Sequence, residues 1–161
     1  MALPAFLASA VKSWAAYYDA HHVVSVTVRY LHLAGLVVGG GTALASDWQI
    51  LRAARADASE RISTLATLRG AHRVVVPALG VVVATGVLLT AADTGTFLIS
   101  RLYWAKLSCV TLLLANGAGL VAAESRAAKG MSWGWLACAS AASLVLWLLI
   151  LHLGVWLTVA A

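Results

Sequence analysis

Four stretches of this chain are each long and apolar enough to cross a lipid bilayer, and no other property restricts its fold so severely. A helical crossing takes about 20 residues. Inside hydrocarbon every backbone N–H and C=O must find its partner within the protein, which leaves only helices or a closed barrel. The stretches run from about Val23 to Ala45, His72 to Ala92, Leu102 to Ala123 and Ser132 to Val159. The chain is 62% hydrophobic and 11% charged, whereas roughly a quarter of the residues in a soluble domain carry charge. Disorder is excluded on the same ground, because too much apolar surface would be left in water. The sequence predicts one all-α integral membrane domain over residues 1–161, with short connections that favour an up-and-down four-helix bundle.

The segment before the first span differs in kind. Lys12 interrupts its apolar run and no basic region precedes it, so it does not read as a secretory signal. Leu3, Leu7, Val11, Trp14 and Tyr18 recur at helical spacing on one stripe. This predicts an interfacial helix over residues 4–20, with Trp14, Tyr17 and Tyr18 near the headgroups. A polar loop is expected from Ser46 to Arg69, carrying a short exposed helix over Ala53 to Thr64, and a tight turn over Asp93 to Thr96. Pro77, inside the second span, is expected to bend that helix or loosen its hydrogen bonding.

Charge gives the orientation. The formal net charge is +5, but the basic residues gather between spans, as topology demands, and nucleic-acid binding is set aside. Arg52, Arg55, Arg61, Arg69 and Arg73 flank the first connection, and Arg126 and Lys129 the third. Only Arg101 and Lys106 flank the second, and Lys12 lies before the first span. The first and third connections are therefore expected in the cytoplasm and both termini in the periplasm of a bacterial inner membrane. Cys109 and Cys138 lie in separate spans, so neither a disulfide framework nor a CxxC metal motif is expected.

Conversion of sequence position into depth gathers ionisable groups in the outer half. His32, in the first span, and His152, in the fourth, differ in depth by roughly 5–10 Å. Arg29 shares a helix face with His32, and Lys106 comes in from the same side. Gly35 and Gly39 continue that face, where small side chains admit either another helix or a flat macrocycle. Two imidazoles on facing helices are what axial ligation of a haem iron requires. One reading is therefore a b-type haem held by His32 and His152, with Arg29 and Lys106 pairing its propionates. Its role would be electron transfer or haem-linked oxidoreductase chemistry with a quinone or redox protein. The alternatives are a non-enzymatic scaffold or accessory subunit, in which the histidines only bind other helices, and a small metal or proton transporter. His72 reads as interfacial, Asn116 as a link between helices, and Asp47, Arg52 and Glu124 as hydrated or ion-paired at the cytoplasmic border. Copper handling is disfavoured because Met1 and Met131 lie outside the outer cluster, and no HExxH or Ser-His-acid pattern suggests a hydrolase.

The segments RYLHLAGLVVGGGTALASDWQILR, PALGVVVATGVLL and LYWAKLSCVTLLLANG, within about residues 29 to 117, carry a resemblance. They resemble a broad group of small bacterial membrane proteins that includes copper-resistance D-like domains and HemJ-type, haem-associated protoporphyrinogen oxidases. The resemblance implies a helical bundle and, in some relatives, haem. Carried over by position, it implies His32 as the ligand, Lys106 as a functional lysine and Arg52 as a basic residue after the first span. The oxidases commonly carry a Trp after the first-span His, where this chain has Leu36 to Val38.

Overall fold

The computed structural model of the chain describes residues 5–127 and 133–160, so Met1, Leu3, Pro4, Lys129, Met131 and Ser132 lie outside the described residues. Among those described there are helices and no strand. Helix α1 spans Ala5–Ala20 and α2 spans His22–Gly35. One wide π-helical turn, Leu36–Gly40, then leads without a break into α3, Gly41–Ala53. Helix α4 covers Ala58–Ala92, α5 is the short Thr94–Phe97, α6 is Arg101–Ala127 and α7 is Trp133–Ala160. Four helical stretches are long and apolar enough to cross a membrane: His22–Ala53, Ala58–Ala92, Arg101–Ala127 and Trp133–Val159.

Helix α1 forms over the expected residues, but its aromatic stripe is applied to protein. The Trp14 indole N–H donates to the Leu88 carbonyl of α4 at 2.9 Å, and Tyr18 is buried. The Tyr18 hydroxyl lies 3.3 Å from the Ser25 carbonyl and accepts from Arg29 Nε at 3.1 Å. Tyr17 is the exposed aromatic, stacked on His21.

The polar stretch from Ser46 to Arg69 is not a loop, because only residues 54–57 lie outside helix. Two devices hold this turn. The Asp57 carboxylate caps α4 by accepting from the Glu60 backbone N–H at 2.9 Å. Arg61 reaches back to the carbonyls of Ala53 at 3.2 Å and Ala54 at 2.8 Å, placing a cation at the C-terminal end of α3. The Ser46 and Thr64 hydroxyls bond to carbonyls four residues earlier on their own helices. Polarity here does not interrupt helix beyond the four-residue turn. Helix α4, with 35 residues, is about 52 Å long against a hydrocarbon core of about 30 Å.

Helix α4 passes Pro77 as continuous helix. The irregular turn falls on the facing partner, at Leu36–Gly40, beside close contacts made by glycines. A Cβ on Gly35 would lie 2.8 Å from Val82 Cγ2, and one on Gly39 would lie 2.9 Å from Ala78 Cβ. Gly40 is pressed against the Trp147 ring, 3.1 Å from where its Cβ would stand. Small residues thus let the first span approach α4 on one side and α7 on the other.

Helices α6 and α7 pack extensively against each other, and α3 packs against both α4 and α7. One core cluster includes Ile50, Leu68, Leu120, Ala123 and Leu136, and a second comprises Leu113, Trp147 and Ile150. Asn116 Nδ2 donates to the Ala139 carbonyl at 2.9 Å, the expected link between helices.

Gly39→Leu should force α4 away from the first span and lower stability by about 1–3 kcal/mol, read from the midpoint of unfolding in a dodecyl sulfate titration. Gly41→Leu meets open space and should move that midpoint by no more than about 0.5 kcal/mol. Acid should fray the start of α4. The bond from the Glu60 N–H, helped by Ser59, holds the Asp57 carboxyl below its ordinary value. The cap is therefore fully effective above about pH 3.9 and is lost as pH falls through the depressed value. Hydrogen exchange at residues 58–61 should accelerate only below that range, and Asp57→Asn should remove the acid dependence.

Candidate functional site

Polar side chains collect in two places, one at each end of the long helices. Near the end occupied by α1, His32 is half-buried on α2 and turned towards α4. Its Nδ1 lies 2.9 Å from Thr85 Oγ1. The Thr85 hydroxyl hydrogen is committed to the Val81 carbonyl at 2.6 Å, so Thr85 accepts and His32 Nδ1 donates. The Val82 carbonyl also faces the ring. This fixes the tautomer and leaves the Nε2 lone pair uncommitted, the state a ligating histidine requires. Gly86 gives the ring room, since a Cβ there would stand 3.5 Å from His32 Cε1.

Lys106, half-buried on α6, lies against Gly154 of α7, its Nζ 3.4 Å from where a Cβ would be. It is close enough to His32 for the two charges to interact. Among the described residues no carboxylate pairs with Lys106 or Arg29. The remaining expected site residues are placed differently. Arg29 is exposed and engages Tyr18, and His152 is exposed, edge-on against Trp156 at 5.8 Å. The space beside Gly35 and Gly39 is taken by Val82 and Ala78. Of the two kinds of neighbour that their small size allows, the structure shows a helix.

The larger feature is a cavity of about 660 Å³ between α4 and α6, backed by α3 and α7. Its walls are apolar, with Val75 and Val83 on α4, Leu114 and Val121 on α6, and Trp147 behind. Gly80 and Gly117 face it from opposite walls, and a Cβ on either would meet nothing within 4 Å. These two glycines widen a cleft, unlike Gly35 and Gly39, which close a contact.

Ionisable groups gather where this cleft nears the turn at residues 54–57. His72 Nε2 donates to both Glu124 oxygens, at 2.9 and 3.0 Å, and ties α4 to α6. Asp47 lines the same end. It is only 3% exposed, against the expectation of a hydrated border residue. Ser143 and Ser140 flank its carboxylate and Glu124 interacts with its charge. Even so, Asp47 Oδ2 and Ser140 Oγ have no hydrogen-bond partner among the described residues. Among the described residues no group of three His, Cys, Asp or Glu is arranged to hold a metal ion.

No family model, curated protein or solved structure matches the chain. The reading of the site therefore rests on its own geometry. In the sequence Asp47, His72 and Glu124 stand as separate border residues. Their meeting point depends on three helices and carries no spacing signal.

The His72–Glu124 pair is partly solvated, with side-chain exposures of 36% and 13%. A double-mutant cycle with His72→Ala and Glu124→Ala should give a coupling of about 0.2–1 kcal/mol in the same unfolding assay. Coupling near zero would mean that the pair does not hold α4 to α6.

Proposed function

We propose that the protein binds a lipid-soluble small molecule within the bilayer, in the cleft between α4 and α6. The single observation that carries this reading is an apolar cavity with two opposed, unpacked glycines and an ionisable end. Its volume falls in the range of about 300–1,000 Å³ usual for small-molecule sites. Apolar walls would take a hydrocarbon body directly from the membrane. In this reading the four long helices form an up-and-down bundle in a bacterial inner membrane. The basic turn then faces the cytoplasm, and both termini face the periplasm.

The test is a sixteen-carbon hydrocarbon bearing a diazirine, photolysed with the protein in phosphatidylcholine nanodiscs. Label should concentrate on residues 71–84 and 113–121. The double variant Gly80→Phe, Gly117→Phe fills the cleft from both walls and should reduce that label at least about tenfold, about 1.4 kcal/mol of lost binding. Label spread evenly over every lipid-facing helix would end this reading.

A second reading, b-type haem for electron transfer, is favoured by the uncommitted Nε2 of His32 and the unpaired Lys106 nearby. These residues fit one axial bond and one propionate partner. His152, the second ligand expected from the sequence, is exposed and edge-on against Trp156. Haem bound there would supply one-electron transfer. Thr85 would hold the imidazole in its ligating tautomer, and Lys106 would neutralise the carboxylate. Oxidised and dithionite-reduced spectra of protein produced with ample haem should show a Soret band that His32→Ala removes. Absence of the band, or its survival in that variant, would exclude this reading. Failure of both tests would leave a membrane scaffold as the better description.

A further inference from the structure

The geometry points to a specific ligand class for the cleft: a single-headed amphiphile with a long apolar body and a small head that donates hydrogen bonds, a hydroxyl or an ammonium, to Asp47. This deepens the proposal above and rests on it. Three features of the ionisable end set the head chemistry. First, the acceptors outnumber the donors. The two carboxylates, with about four acceptor sites each, face one His72 N–H, shared by both Glu124 oxygens, and the hydroxyls of Ser140 and Ser143 beside Asp47. Second, a buried carboxylate oxygen without a partner, Asp47 Oδ2, sits in the wall of the cleft. A buried acceptor in this state gains from any donor that reaches it, so a donor brought in by the ligand adds to what the neighbouring Ser140 and Ser143 hydroxyls supply. The carboxylate torsion is broad and roughly two-fold, so a small rotation turns either oxygen to the cleft. Third, Asp47 and Glu124 stand together in a cleft whose lining is otherwise largely apolar, so the polar part of a ligand is directed to the carboxylates.

The same features reject other heads. A carboxylate or phosphate would face Asp47 and Glu124 across a medium of low dielectric, where like charges repel strongly. A quaternary ammonium or an ether has no hydrogen to give. The walls choose the body and Asp47 chooses the head. Discrimination of this kind is large in a dry site, because a head without a donor leaves the acceptor unpaired.

Three sixteen-carbon probes test this, each with the same mid-chain diazirine and ending in an alcohol, a primary amine or a methyl ether. They are photolysed with the full chain in nanodiscs of phosphatidylcholine, whose own head carries no N–H or O–H donor. The alcohol, the amine or both should label residues 71–84 and 113–121 at concentrations at least about tenfold below the ether, about 1.4 kcal/mol. Whichever of the two labels at the lower concentration identifies the head as neutral or cationic. Asp47→Leu should abolish the preference while leaving ether labelling of the cleft intact, which also shows that the variant folds. If ether labelling is lost in that variant, Asp47→Asn serves instead, and the preference should fall at least threefold.

Equal labelling by all three probes, or a preference that survives loss of the carboxylate, overturns the head assignment and leaves the cleft as an apolar binding site. Absence of cleft labelling by any probe overturns the cleft proposal itself.

Discussion

The close approach of the first span to α4 governs the rest of the structure. Lipid tails are as apolar as side chains, so helices in a membrane gain little from hydrophobic association and depend on packing contact instead. Gly35 and Gly39 provide that contact by removing the atoms that would collide with Val82 and Ala78. The wide π-helical turn lies over the same residues. It shifts the facing register so that Gly39 and Gly40 are both buried, one against α4 and the other against Trp147. With the helices at this separation, Thr85 comes within hydrogen-bond reach of His32.

The consequence for α4 is a division of its surface. One side receives the first span and α1, and another looks across to α6, to which the His72–Glu124 pair joins it. Helix α6 is committed to α7 instead. The space left between α4 and α6 is the cleft, and it follows from where the small residues were used. Gly35 and Gly39 draw one pair of helices together, whereas Gly80 and Gly117 leave another pair apart. Asp47 is carried to the end of this space by α3 and is held there among Ser140, Ser143 and Glu124. A buried carboxylate with an unpaired oxygen marks a place where local stability has been given up, and such places concentrate at sites of function.

The polar region near α1 has a different character. Among the described residues His32 is held on one nitrogen only, and Lys106 stands near it without a carboxylate partner. The fixed rise of a helix let the sequence group both residues at similar depth, and the structure brings them near each other. Position along a helix does not say which neighbours cover a side chain, and His152 is exposed against Trp156. Trp14 and Tyr18 show the same division. Their stripe was legible from spacing, yet only docking on α4 decided that protein, and not headgroups, would cover it.

By itself the sequence determined an all-helical chain with four stretches able to cross a membrane, since about 20 apolar residues in lipid have almost no other way to satisfy their backbone. It also determined where basic charge gathers and that Asn116 would reach a neighbouring helix. The polar run from Ser46 to Arg69 misled, because helix continues past the bilayer surface wherever caps such as Asp57 and Arg61 satisfy its ends. The tertiary structure alone decided which glycines close a contact and which open a cleft. It alone brought Asp47, His72 and Glu124 to one end of that cleft. Those outcomes depend on pairing between helices distant in sequence, and a one-dimensional pattern of small and polar residues is compatible with many such pairings.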